Sequence, residues 1–234
     1  SQYLKKLNLR SIVKFDYIEE GIRSPTDGKF YPLVTMEWVE GDTLFDWLGR
    51  RCDENDTDAI SEIADRWVDL IAELRGARIA HGDLQHGNVM VSNTGELKLV
   101  DYDCMCVPEL IGSVNLEIGM PPYQHPARDG DTLLSLELDH FSSIFILVAL
   151  RALAANPMFW TAYVEGPEYD KLLLKAEDFE NSVDSRLIRD LMRSPDTMVH
   201  ELTEQLLEAY HGGIDDVPSL DTLVDPFSRV EELL

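Results

Sequence analysis

Cysteine is scarce in this chain. Three residues, Cys52, Cys104 and Cys106, stand among 234, too few for a disulfide framework. Cys104-Met105-Cys106 has no second ligand pair, which argues against a structural zinc site. Reduced thiols in a cytoplasmic protein are the expectation. Long apolar runs are lacking too. The most apolar stretch, Ile144 to Ala155, is short and holds Arg151, so it reads as a buried helix and not as a membrane span. The N-terminus has no apolar signal segment, and no internal repeat or low-complexity tract is present. Positive charge is short: 20 Lys and Arg face 44 Asp and Glu, for a net charge of -24. Such a surface repels nucleic acid and anionic membrane and tolerates a basic peptide, although solubility alone is the simpler explanation. What is abundant is apolar side chain. At 44% hydrophobic residues the chain can bury a sizeable core, in one large or two small domains, and disorder does not dominate.

The most informative stretch is His81-Gly82-Asp83-Leu84-Gln85-His86-Gly87-Asn88. Asn88-Val89-Met90-Val91 follows as a strand, Ser92 to Gly95 as its turn, and Leu97-Lys98-Leu99-Val100 as the return strand. Asp101-Tyr102-Asp103 closes the unit. His-Gly-Asp alone means nothing. The loop, the hairpin and the second aspartate in register are three independent features, and together they resemble the catalytic loop and metal-binding turn of the protein-kinase-like phosphotransferases. The resemblance implies Asp83 as the residue that orients the acceptor hydroxyl and takes its proton. It implies Asn88 and Asp101 as Mg²⁺ ligands, brought together by the hairpin although twelve residues separate them. Mg²⁺ and ATP are the implied cofactor and co-substrate.

Along the chain, Ser1 to Leu9 reads as the end of a helix. Ser11 to Ile18 alternates imperfectly as an exposed strand, Ser24 to Gly28 is a turn cluster, and Phe30 to Val39 is a second strand. Met36 to Leu44 resembles the kinase hinge. That likeness implies Met36 guarding an adenine pocket, the main chain of Glu37 and Val39 facing the base, and Asp42 reaching the ribose. Thr43 to Arg51 is a short helix. Asn55 to Asp58 caps a long one with Ile60, Ile63, Ala64, Trp67, Leu70, Ile71 and Leu74 at helical spacing and Gly76 as its stop. Ala77 to Ala80 reads as a strand feeding His81. Gly119 to Pro126 resembles the end of a kinase activation segment, and Leu138 to Ser143 the start of its central buried helix, whose Asp139 would tie to the catalytic-loop backbone. Phe159 to Tyr163, Tyr169 to Ala176, Ser185 to Met192 and Thr197 to Tyr210 look helical. Pro218 to Leu234 is an acidic tail with room for one last short helix.

Several positions depart from the family pattern. No Gly-rich loop and no strand lysine with its helix glutamate is present, and Lys5, Lys6 and Lys14 sit in the wrong elements to replace that lysine. The chain therefore reads as starting inside the small lobe, as a fragment or a reduced kinase, and residues 1–234 are expected to transfer phosphate weakly at best, with Mg-ATP bound at about 10⁻⁴ M. Gly82 stands for the usual Arg, Gln85 for a Lys, Met120 for a Thr and Asp103 for a Gly, and no Glu follows Pro126. His86 reads as shaping its loop. His81 is expected to bond backbone, and Leu4, Phe15, Tyr102 and His81 to line up as a buried stack. Trp38, Trp47, Trp67 and Trp160 read as core.

These features add up to an α+β, protein-kinase-like fold: a mostly helical C-lobe with a truncated N-lobe β-sheet. Residues 1–40 make the partial N-lobe, with the end of a helix, strands and hinge. Residues 41–234 make the C-lobe, with the catalytic loop at 81–88, the metal turn at 101–103 and the activation segment at 101–127. The expected function is ATP- and Mg-dependent transfer to a Ser or Thr hydroxyl of a protein, with a likeness to the bacterial branch of the superfamily. The rivals are a non-catalytic pseudokinase and a small-molecule phosphotransferase of the aminoglycoside or choline kinase sort.

Overall fold

The computed structural model describes residues 2–115, 117–164 and 171–224. The chain opens with helix α1 (Gln2–Leu7), which buries Leu4, and continues into strands β1 (Phe15–Arg23) and β2 (Phe30–Met36). These pair antiparallel, Phe15 opposite Met36 and Arg23 opposite Phe30, with an irregularity between Ile18 and Ile22. The expected first strand therefore starts four residues later than Ser11 and runs on to Arg23. Among the described residues no second layer covers this ribbon. Beyond Phe15, its large apolar side chains stay in water, Tyr17 at 52% and Phe30 at 53% exposure.

A second sheet joins β3 (Gly41–Thr43), β4 (Val89–Ser92) and β5 (Leu97–Leu99) in that order, all antiparallel, with Gly41 opposite Ser92 and Val89 opposite Leu99. The alternation in β4 and β5 does bury one face: Val89, Val91, Leu97 and Leu99 turn into the core.

The helical body holds that core. Thr43 caps α2 (Leu44–Asp53) by accepting from the Asp46 N–H, and Asp56 caps α3 (Thr57–Gly76) by accepting from the Ala59 N–H. The side chains at helical spacing along α3 face α4 (His140–Ala155), whose residues are buried on nearly every side. Trp67 is fully buried there, and its indole N–H donates to the Ser143 carbonyl at 3.0 Å, which removes the cost of burying a polar atom. Each large aliphatic side chain so enclosed contributes about 1.5–3 kcal/mol. Beyond α4 come a wide π-helical turn (Trp160–Val164), then α5 (Ala176–Glu180), α6 (Arg186–Leu191), α7 (Thr197–His211) and α8 (Leu220–Val224).

Some expectations need correction. α3 ends at Gly76 as expected, but the glycine is not the left-handed residue of the closure. The chain turns at Arg78, at φ 53°, with Arg78 N–H bonded to Arg75 O and Ile79 N–H to Leu74 O, both at 2.9 Å. This is a Schellman closure whose left-handed residue is an arginine, and the Leu74–Ile79 apolar pair that accompanies such closures is buried. That turn occupies the place expected for the strand Ala77 to Ala80, of which one bridge, Ala80 with Cys106, remains. The helix expected from Tyr169 starts only at Ala176. Leu172, Leu173 and Leu174 are buried without helical structure, and Tyr169 lies outside the described residues. Trp38 is not core. It is 87% exposed, because it follows an uncovered ribbon. Ser1 and the tail beyond Val224 also lie outside the described residues.

Candidate functional site

The loop 81–88 is fixed from below by α4. Asp139, buried just ahead of that helix, accepts from the His81 N–H and from the Gly82 N–H, the latter at 2.8 Å. Burial pushes its carboxyl above the usual carboxylate range, against the pull of these donors and of nearby Arg128. Gly82 takes φ +79°, and a Cβ there would lie 2.2 Å from the Cys104 carbonyl oxygen. No side chain fits at this position, which accounts for the missing arginine.

His81 bonds backbone through both ring nitrogens. Its Nε2–H donates to Val100 O at 3.0 Å, and its Nδ1 accepts from the Asp83 N–H at 3.3 Å. The ring stands edge-on to Tyr102 at 6.2 Å, and Tyr102 edge-on to Phe15 at 5.4 Å. Leu4 is buried in the same core. The Tyr102 hydroxyl accepts from the Val13 N–H and donates to Leu99 O, both at 2.7 Å, and burial pushes it up to about 12. The expected stack is thus present from Phe15 through Tyr102 to His81.

Asp83 and Asn88 are brought together. The Asn88 side-chain amide donates to the Asp83 carbonyl at 2.9 Å and to Asp83 Oδ2 at 3.0 Å. Asp83 Oδ1 accepts from the Met120 N–H at 2.8 Å. A Cβ on Gly119, at φ +81°, would fall 2.7 Å from that same oxygen, so glycine lets the segment close over the carboxylate. Gln85 does not face the site. It is buried, and its Oε1 accepts from the Gly87 N–H at 2.6 Å. His86 is likewise buried, joined through Nδ1 to the hydroxyl of fully buried Tyr123.

The hairpin β4–β5 returns the chain beside the loop, with the Val100 N–H on Asn88 O at 3.0 Å. Asp101 follows in a left-handed conformation, φ 66°, and is exposed. A non-glycine residue held there is strained, and its carboxylate has no hydrogen-bond or ion-pair partner among the described residues. Among those residues no group of three or more His, Cys, Asp and Glu could hold a metal. Asn88 Oδ1 and the Asp101 carboxylate are hard oxygen donors. One or two such protein ligands, completed by phosphate and water, suit Mg²⁺.

The hinge candidates lie elsewhere. Glu37, Trp38, Val39 and Glu40 line a cavity of about 730 Å³ with α1, Lys14 and Lys98. Met36, Asp42, Asp83, Asn88 and Asp101 are not part of its lining. Asp42 is held by both terminal nitrogens of Arg50. Lys5 pairs with Asp16 at 2.6 Å.

Two tethers hold the segment after Gly119, and neither was read from the sequence. Arg128, buried, donates through Nη1 to Gly82 O at 2.7 Å and to Gln124 Oε1. His125, also buried, sits with Nε2 2.9 Å from Ala209 O, at the end of α7, and accepts from the Ala127 N–H at 3.1 Å through Nδ1. A cation and an imidazole inside an otherwise anchored segment were the available signal.

Residues 1–209 match the sequence pattern of the family described as Protein kinase domain. The chain is similar to Mitogen-activated protein kinase kinase 1 of Arabidopsis thaliana, 29% identical over 118 residues that make up 49% of this chain and 33% of that protein. It is similar also to a probable cAMP-dependent protein kinase catalytic subunit of Encephalitozoon cuniculi, 27% identical over 95 residues, 41% of this chain and 29% of the relative. Each match thus spans about a third of the relative's length. Among the described residues no helix is long and apolar enough to cross a membrane.

Proposed function

Since the chain belongs to the protein kinase domain family, we propose that it is a phosphotransferase that takes the terminal phosphoryl group of Mg-ATP to a Ser or Thr hydroxyl of a protein. The observation that carries this reading is the shared bonding of Asp83 and Asn88, one hairpin ahead of Asp101, whose backbone is left-handed and whose carboxylate has no partner among the described residues. In this reading Asp83 orients the acceptor hydroxyl and takes its proton as the oxygen attacks phosphorus. The Met120 N–H and the Asn88 amide hold its two oxygens in place, so the carboxylate needs no reorganisation when the acceptor arrives. Asn88 and Asp101 would hold Mg²⁺, which when bound neutralises the phosphate charge. Glu37 and Val39 would meet adenine through the main chain, with Met36 guarding the pocket. Asp42 would have to leave Arg50 to reach the ribose.

The acceptor is expected to be basic around its hydroxyl, since a net charge of -24 attracts such a peptide. Three free thiols suit a cytoplasmic setting. Labelled ATP with a basic Ser/Thr protein, choline and an aminoglycoside as parallel acceptors tests the proposal. Label on the protein supports it. Label on a small alcohol instead moves the function to small-molecule phosphorylation, and label on none supports an interaction module.

A further inference from the structure

The residue just ahead of Asp83 is gripped from two directions. Asp139 takes the Gly82 N–H at 2.8 Å, and Arg128 gives a hydrogen to the Gly82 carbonyl at 2.7 Å. Arg128 comes from the same segment, 119–128, whose Met120 N–H meets Asp83 Oδ1. It is a costly residue to place here. At 6% exposure it has no carboxylate in ion-pair contact among the described residues, and its Nε and Nη2 have no acceptor there. Burial pulls the guanidinium below its ordinary value, and the carboxylates of Asp139 and Asp83 work in the opposite direction. A buried cation kept at such cost, with its bonds directed at the loop peptide, calls for a reason beyond packing. Position 82 cannot supply the charge, because the Cys104 carbonyl leaves no room for a Cβ. Nor does Arg128 reach an acceptor substrate, because these two nitrogens are closed off from solvent.

We propose that Arg128 is a positioning residue for Asp83: it fixes the Gly82 peptide from the activation-segment side, and so keeps the Asp83 carboxylate and the Met120 amide in register. The acceptors of this tie are a carbonyl and an amide oxygen, so closing it needs no added phosphate on the segment. The proposal rests on the phosphotransferase reading for its kinetic consequence alone; the positioning itself is readable without turnover.

Amide hydrogen exchange on the full chain reads it, at Met120, with the amides of α4 as internal control. Arg128→Met is expected to speed exchange at Met120 about tenfold or more, the factor for losing one hydrogen bond from a charged group, with α4 unchanged. Millimolar guanidinium added to Arg128→Ala is expected to restore protection, and equal methylammonium is not. Wild-type protection in Arg128→Met, or no rescue by guanidinium, overturns the proposal. Should Arg128→Met unfold, seen as lost protection throughout α4, Arg128→Lys replaces it. That variant keeps the charge but not the planar guanidinium whose Nη1 reaches both oxygens, and faster exchange at Met120 with α4 intact is expected. Wild-type protection there, or collapse of α4, overturns the proposal as well. In phosphate transfer, kcat is expected to fall about tenfold or more while KM for ATP stays within about twofold; equal kcat overturns the positioning role. A wild-type chain that transfers no phosphate counts against the reading of Asp83 as a base and leaves the exchange result to judge Arg128.

Discussion

Replacing Asp139 by alanine removes the acceptor of two buried backbone donors, the His81 and Gly82 N–H groups. A buried donor left without a partner costs about 1–3 kcal/mol, so the two together cost about 2–6 kcal/mol. Part is returned, because Asp139 is buried and burial disfavours the charge of its carboxylate. A net loss of about 2–4 kcal/mol is expected. For a domain of this size each kcal/mol moves Tm by about 2–4 °C, which puts the fall at about 4–16 °C. Asp139→Asn keeps the volume and one acceptor oxygen but points an N–H at a donor, so about half that loss is expected. Urea unfolding followed by the fluorescence of buried Trp67 measures both. A loss under about 0.5 kcal/mol in Asp139→Ala would refute the reasoning, since it would mean that water or a shifted carbonyl satisfies both donors.

Tyr102→Phe removes an acceptor for the Val13 N–H and a donor to Leu99 O; a loss of about 1–2 kcal/mol is expected in urea unfolding, and exchange at Val13 should rise with it. Burial lowers His125 below the ordinary histidine value, so the folded state holds it neutral. Its contribution to stability is complete above the unfolded value of about 6.5 and is lost as pH falls through that value towards the folded one. The urea-midpoint gap between wild type and His125→Gln should therefore narrow from pH 7.5 to 5.5, and a constant gap contradicts this. Asn88→Ala and Asp101→Ala should each weaken Mg-ATP binding about tenfold or more, with Tm nearly unchanged for Asp101 and lowered by a few degrees for Asn88, whose buried amide bonds Asp83, as calorimetry and a thermal melt will read; unaltered affinity contradicts the ligand assignment.

Much of the helical body was legible from side-chain period alone. The spacing Ile60 to Leu74 placed α3, and the unbroken apolar run from Ile144 placed α4, because burial on one face and burial all round leave different patterns. The loop 81–88 and its hairpin were legible because register is a sequence property. What escaped depends on contacts between distant segments. Arg78 adopts a left-handed turn that glycine two residues earlier was expected to make, and only the Schellman bonds to Leu74 and Arg75 reveal it. Trp38 reads as core by composition, yet burial needs a covering layer, which a two-stranded ribbon does not itself provide. Arg128 and His125 are single residues whose partners lie 46 and 84 positions away, beyond the reach of any periodicity.

The most direct test of the account compares wild type with Asp83→Asn in single turnover, with protein in excess over labelled Mg-ATP so that weak transfer is still read, and measures nucleotide affinity by calorimetry. The account predicts turnover lowered by about 10²-fold or more with affinity held within about twofold, since Asp83 acts on the acceptor and not on the nucleotide. Wild-type turnover by Asp83→Asn would contradict it.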